Sequence, residues 1–217
     1  RTEFKVTMSD LEIIKNRLKE FGFFPEFSNK SKYLAKLKSY LGLKKAEELL
    51  DNIDLILETT SDNDKIDTEY EIAKLAIGDP VLINIIYSSG IETSIEIFCE
   101  VLNILDNIEI EPHVICDLGG ANGWSLQLLD EYFELSSKLI LIEQNPTWEV
   151  VNPKIVVLNS DYAAVSENLQ SELIISIFGS PANNVESLLK CASAIMKKDS
   201  LFIVALRIPN NYYFEKF

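Results

Sequence analysis

Across residues 1–110 apolar side chains recur every three to four positions, the spacing of helices with one buried face. Leu11, Ile14, Leu18 and Phe21 follow Ser9-Asp10-Leu11-Glu12, which reads as a capping box, and Gly22 can close that helix in the left-handed conformation. Phe23-Phe24-Pro25-Glu26-Phe27 is a break. A second helix is expected from Ser31 to Leu41, ending at Gly42. A third runs from Lys44 to Glu58 with Leu49, Ile53, Ile56 and Leu57 inward. The polar, acidic stretch 59–67 reads as a loop, followed by a fourth helix from Thr68 to Ile77. Asp79-Pro80 pairs an N-cap with a proline at the first helical position, which starts a short helix to Tyr87. After Ser88-Ser89-Gly90, a strongly apolar helix covers Glu92 to Asn107.

The texture changes at Glu111-Pro112. Five short runs follow that are continuously apolar and rich in β-branched residues: His113–Leu118, Lys138–Glu143, Lys154–Leu158, Glu172–Ile177 and Ser200–Leu206. Helical stretches are expected between most of them, at Trp124–Leu135, Ala163–Leu169 and Asn184–Lys197. Strands without polar alternation are buried on both faces, and their alternation with helices implies a parallel sheet covered on each side. The expected fold class is therefore α/β, a doubly wound, mostly parallel sheet of at least five strands. An all-α region precedes it. The division expected is 1–110 for the helical part and 111–217 for the α/β part.

The chain has 217 residues and a formal net charge of −14. Basic residues outnumber acidic ones only in 1–50, by 11 to 7. The acidic remainder repels a phosphate backbone, so nucleic acid is not the expected partner. No apolar run approaches the roughly 18 residues of a membrane span, and the N-terminus has no apolar signal region. The chain does not begin with Met, which points to a processed or excised chain. Cys99, Cys116 and Cys191 are widely spaced in apolar runs, as buried thiols of a reducing, cytoplasmic compartment would be. With His113 as the sole histidine and no C-x-x-C pair, no metal site is expected.

In a doubly wound sheet, ligands bind beyond the carboxyl ends of the strands. The first strand runs into Asp117-Leu118-Gly119-Gly120-Ala121-Asn122-Gly123 and then a helix. Small residues allow a sharp turn and close approach, and the helix N-terminus offers free amides to an anionic group. A dinucleotide loop needs G-x-G-x-x-G. Counted from Gly119, this chain has Ala121 and Trp124 at the second and third glycine positions, and no G-K-[ST] phosphate loop is present. The stretch Asp117–Gly123 instead resembles the first motif of class I S-adenosylmethionine-dependent methyltransferases, an acid followed by G-x-G-x-G, with Ala121 at the middle glycine.

That resemblance covers 112–206 and implies the cofactor S-adenosylmethionine. Asp117, Gly119, Gly120, Ala121 and Gly123 would hold its methionine end. Glu143, closing the second strand, would take the ribose hydroxyls, and Asp161 with Tyr162 would meet the adenine. Trp124, Ser180 and Asn183 are candidates for the acceptor side. The resemblance implies methyl transfer to a small-molecule or peptide-like acceptor. The loop also resembles that of RNA ribose methyltransferases, but their Lys-Asp-Lys-Glu set is replaced here by Ser176 and Phe178 at the fourth strand and Arg207 after the fifth. His113 stands at the amino end of the first strand, away from any such site. After Leu206 the remaining residues suffice for one short strand rather than the usual C-terminal hairpin. An open sheet edge is therefore expected, to be covered by a homodimer, a partner or the helical half. A non-catalytic, methyltransferase-like scaffold is the alternative of a different class.

Overall fold

A computed structural model describes residues 8–20, 30–59, 74–76, 78–88, 91–108, 110–133, 138–144, 150, 152–165, 169–179, 185–208 and 211–216. It divides into two compact units, Glu12–Ile95 and Arg1–Leu11 with Glu96–Phe217.

The helical unit contains most of α1 (Met8–Glu20), then α2 (Lys30–Leu41), α3 (Leu43–Thr59) and α4 (Pro80–Ser88). Helix α1 begins at Met8, so Ser9 lies inside it rather than capping it. Ile14 and Leu18 are its buried residues, four apart as one helical face requires. Gly42, at φ +80, makes the turn between α2 and α3, and its amide donates to the Lys38 carbonyl at 2.9 Å. Asp79 caps α4 as its sequence position indicates, accepting the Leu82 amide at 2.9 Å. Tyr40 donates its hydroxyl to the same carboxylate, at 2.9 Å. That bond raises the phenol's pKa. Gly22 and nearly all of the expected helix 68–77 lie outside the described residues.

The division between units falls within α5 (Ile91–Asp106), between Ile95 and Glu96. The second unit is built on β1 (Val114–Leu118), α6 (Trp124–Phe133), β2 (Lys138–Glu143), β3 (Ile155–Asn159), β4 (Ser171–Ile177), α7 (Val185–Ile195), β5 (Met196–Ile208) and β6 (Asn211–Lys216). The strand order is β3-β2-β1-β4-β5-β6. The first five strands are mutually parallel, and β6 pairs antiparallel with β5, from Ile208↔Asn211 to Ile203↔Lys216. This is the doubly wound, Rossmann-like sheet expected, with order reversing between β1 and β4.

Three details depart from expectation. A 3₁₀ turn, Tyr162–Ala164, stands at the start of the stretch 163–169 expected as a helix, of which 166–168 lie outside the described residues. Helix α7 stops at Ile195, and Met196 already belongs to β5. The outer edge of β5 is not open, because the chain's own β6 covers it. The edges of the sheet are therefore β3 and β6.

Period-two alternation sorts the core. Cys116, Leu118, Ile140, Ile142, Ile174, Phe202 and Val204 share one face and pack with Leu188, Cys191, Ala192 and Ile195 of α7. Ile115, Leu139, Leu141, Leu173, Ile175 and Ile203 point to the other face, where α6 lies against β1 and β2. Burying each such side chain contributes about 1.5–3 kcal/mol. Asp117 and Glu143 fall on this second face, in register with the leucines and isoleucines that precede them.

Candidate cofactor site

The loop after β1 is tied down on three sides. The Gly119 amide donates to the Ile142 carbonyl at 2.8 Å, joining the loop to β2, and the Gly123 amide closes a turn onto the Gly120 carbonyl at 2.9 Å. Ala121 takes the left-handed conformation at φ +54, and its amide donates to Glu143 Oε2 at 3.0 Å. Gly120 is glycine for an internal reason: a Cβ there would lie 2.1 Å from Asp117 Oδ2. Helix α6 starts directly from the loop, with the Asn122 side chain accepting the Trp124 amide at 3.2 Å.

Two carboxylates bracket this loop. Asp117, one residue before the end of β1, is 2% exposed; Ser125 of α6 donates to its Oδ2, and Oδ1 has no partner in the described structure. Burial, with a smaller push from Glu143 and against the Ser125 hydrogen bond, raises its pKa to about 7. Glu143 closes β2 and is buried at 9% exposed. Among the described residues no group of His, Cys, Asp and Glu could hold a metal ion.

The loop after β4 presses against the loop after β1. Ser176 donates its hydroxyl to the Leu118 carbonyl at 2.8 Å. Tyr162 donates to the Gly179 carbonyl, so this tyrosine bolts the β4 loop in place from within the core cluster. Burial raises its phenol pKa, and the charges of Glu143 and Asp117 add to the effect. Phe178 holds φ +56, a conformation that costs a bulky residue about 1–3 kcal/mol and persists only where its surroundings impose it. Removing the Ser176 hydroxyl (Ser176→Ala) takes a donor from the buried Leu118 carbonyl. Urea denaturation should show a loss of about 1 kcal/mol, and an unchanged midpoint would deny this bond a role in joining β1 to β4.

Of the residues singled out in the sequence, Asp117, Gly119, Gly120, Ala121, Gly123 and Glu143 come together at the carboxyl ends of β1 and β2. Asp161 lies beyond β3, exposed, with its side chain accepting the Ala163 amide at 3.0 Å. Trp124 is buried and packs edge-on against Phe98, ring centres 5.3 Å apart at 64°. Ser180 and Asn183 lie outside the described residues. His113 is exposed ahead of β1, where Glu172 accepts its backbone amide. Cys99, Cys116 and Cys191 are buried free thiols. No described helix is long and apolar enough to cross a membrane.

Ser125, Ser176 and Gly179 were missed in the sequence. Ser176 carried a signal, a hydroxyl within the apolar run Leu173–Ile177. Ser125 and Gly179 act through contacts that only the tertiary structure brings about.

No protein-family model matches the chain, and no curated protein does. Solved structures do match. The plantazolicin methyltransferase BpumL, solved with a pentazolic desmethylPZN analog and SAH, is 15% identical, with 84% of this chain and 60% of that chain covered and a TM-score of 0.41. A Pyrococcus horikoshii protein is 14% identical, with coverages of 56% and 57% and a TM-score of 0.43. The Burkholderia thailandensis 1,6-didemethyltoxoflavin-N1-methyltransferase, solved with bound 1,6-didemethyltoxoflavin and S-adenosylhomocysteine, is 12% identical, with coverages of 55% and 58% and a TM-score of 0.36. The chain spans about half the length of the solved chains it matches.

Proposed function

We propose that the loop 119–123 with Asp117 and Glu143 binds S-adenosylmethionine, and that the protein transfers its methyl group to a small-molecule or peptide-like acceptor. The observation that carries this reading is the pair of buried carboxylates at the ends of adjacent parallel strands, beside the point where strand order reverses. An unpaired carboxylate oxygen in a buried site is costly unless a cation or hydrogen-bond donor meets it. The orphaned Asp117 Oδ1 fits a ligand that carries an ammonium group. Glu143 combines a negative charge with oxygens that can accept hydroxyl donors, which fits a ribose diol.

Bound S-adenosylmethionine supplies an activated sulfonium methyl. The chain's part is to hold it and to exclude water. Asp117, Gly119, Gly120, Ala121 and Gly123 would serve the methionine end, Glu143 the ribose and Asp161 the adenine side, while Tyr162, sequestered in the core, would hold the neighbouring β4 loop. In this reading 111–217 carries the cofactor, and the helical part serves the acceptor or dimerisation.

The test is calorimetric titration with S-adenosylhomocysteine. The wild-type chain should bind, and Glu143→Ala should bind about 1.5–3 kcal/mol more weakly, the worth of hydrogen bonds to a charged group. Glu143→Gln, which can still accept the Ala121 amide, separates loss of charge from loss of loop geometry. Equal affinity in all three proteins would reject the assignment.

A further inference from the structure

Ser125 and Asp117 form a buried polar pair that stability alone does not explain. Both are almost fully enclosed, at 1% and 2% exposed. Buried polar atoms are normally all satisfied, and this pair is satisfied by half. The Ser125 hydroxyl donates to Asp117 Oδ2, and Oδ1 meets no partner in the described structure. The serine stands in the first turn of α6, the helix into which the glycine loop leads. A Cβ on Gly120 would fall 2.1 Å from Oδ2, 2.4 Å from Cγ and 2.9 Å from Oδ1. Gly120 therefore lies directly against the carboxylate, and both oxygens adjoin the loop.

The groups facing this carboxylate decide its charge. Burial is the main force against ionisation, the Ser125 hydrogen bond favours it, and the charge of Glu143 opposes it. Cys116, its neighbour on β1, and Tyr162, from the turn after β3, are both raised by burial and stay neutral near pH 7. Asp117 has no cationic partner among the described residues. The serine hydroxyl is thus the one neighbouring group on the side of the charged form.

We infer that Ser125 is a positioning residue of this site: by holding Oδ2 it presents Oδ1, ionised, to the ammonium group of the ligand, and so ties ligand binding to pH. This rests on the cofactor reading and adds to it a residue and a proton. A ligand ammonium pairs with the ionised carboxylate. Where Asp117 is protonated, binding must first release that proton, so affinity falls as pH falls, by up to about tenfold per unit. The fall sets in below the folded value of about 7. Without the serine hydroxyl the neutral form gains, and the onset moves to higher pH.

The test is calorimetric titration of the full chain from about pH 5.5 to 8 with two ligands. S-adenosylhomocysteine carries the ammonium group. 5′-Methylthioadenosine keeps the adenine, ribose and sulfur and lacks the amino acid. Wild type should bind S-adenosylhomocysteine more tightly as pH rises, levelling off towards the top of the range. Ser125→Ala should weaken it by about tenfold at pH 7, the effect of one hydrogen bond to a charged group, and move the profile up by about one pH unit. Neither pH nor Ser125→Ala should alter 5′-methylthioadenosine binding. Asp117→Asn should flatten the S-adenosylhomocysteine profile, and adding Ser125→Ala should then shift nothing. Circular dichroism checks that each variant folds. A flat wild-type profile overturns the inference without any variant. So does an unshifted profile in Ser125→Ala, or an equal loss of both ligands, which would make the serine a part of the loop's structure only. These three results leave the cofactor reading standing, whereas no S-adenosylhomocysteine binding at any pH removes both.

Discussion

Gly179→Ala should cost about 3 kcal/mol of folding stability, at the upper end of what overpacking does. A Cβ at this position would lie 1.8 Å from the Leu118 carbonyl oxygen, 2.8 Å from its carbon and 2.6 Å from Ser176 Oγ. The first two are backbone atoms at the end of a central strand, and they cannot rotate aside as a side-chain tip would. Relief requires the loops after β1 and β4 to part, which also breaks the Tyr162 bond to the Gly179 carbonyl. For a chain of this size the loss corresponds to a drop of roughly 6–12 °C in Tm. Thermal unfolding checks it, and a variant within half a degree of wild type would mean the two loops are not in contact in solution.

The second large effect is a pH dependence centred on Asp117. Its ordinary pKa of 3.8 is raised to about 7 in the fold, mainly by burial. Between these values the folded chain keeps a proton that the unfolded chain releases. Stability therefore falls as pH rises from about 4 to 7, and the whole penalty is present above the folded value. With 1.36 kcal/mol per pKa unit, its upper bound is about 4 kcal/mol. Asp117→Asn keeps an acceptor for Ser125 and removes the charge. Denaturant melts across pH 4–8 should show the variant gaining steadily on wild type with rising pH. Parallel curves would show that Asp117 ionises freely in the fold. A bound ammonium group beside the carboxylate should flatten the wild-type curve, because it stabilises the charged form.

What could be seen in the sequence follows from which interactions are local. Strands β1, β2 and β4 are continuous apolar runs, and their pattern alone implies burial on both faces. Asp117 and Glu143 were visible because each ends such a run. The amino end of β5 was hidden by Lys197, Lys198 and Asp199, charges that read as a helix end and loop but sit in a strand, with Asp199 at φ +66. The apparent helix after β3 opens instead with a 3₁₀ turn, Tyr162–Ala164. There Asp161 caps the turn, and Tyr162 is committed to the core and to Gly179. Trp124 read as a pocket residue from its place after the loop, but Phe98, distant in sequence, claims it for the core. The contact between these two loops left no trace in either segment, since a Cβ on Gly119 would strike the Gly179 backbone and one on Gly179 the Leu118 carbonyl.

The buried thiols described above have a consequence for watching this protein move. Burial pushes the Cys116 thiol well up, and takes Cys191 to about 11. Only the thiolate reacts readily with alkylating reagents, so both are doubly silenced, by enclosure and by protonation. One lies on the central strand and the other on the helix that covers it. Each therefore labels only when α7 lifts from the sheet, and the rate at which they modify is a clock for that opening, already built into the unmodified chain.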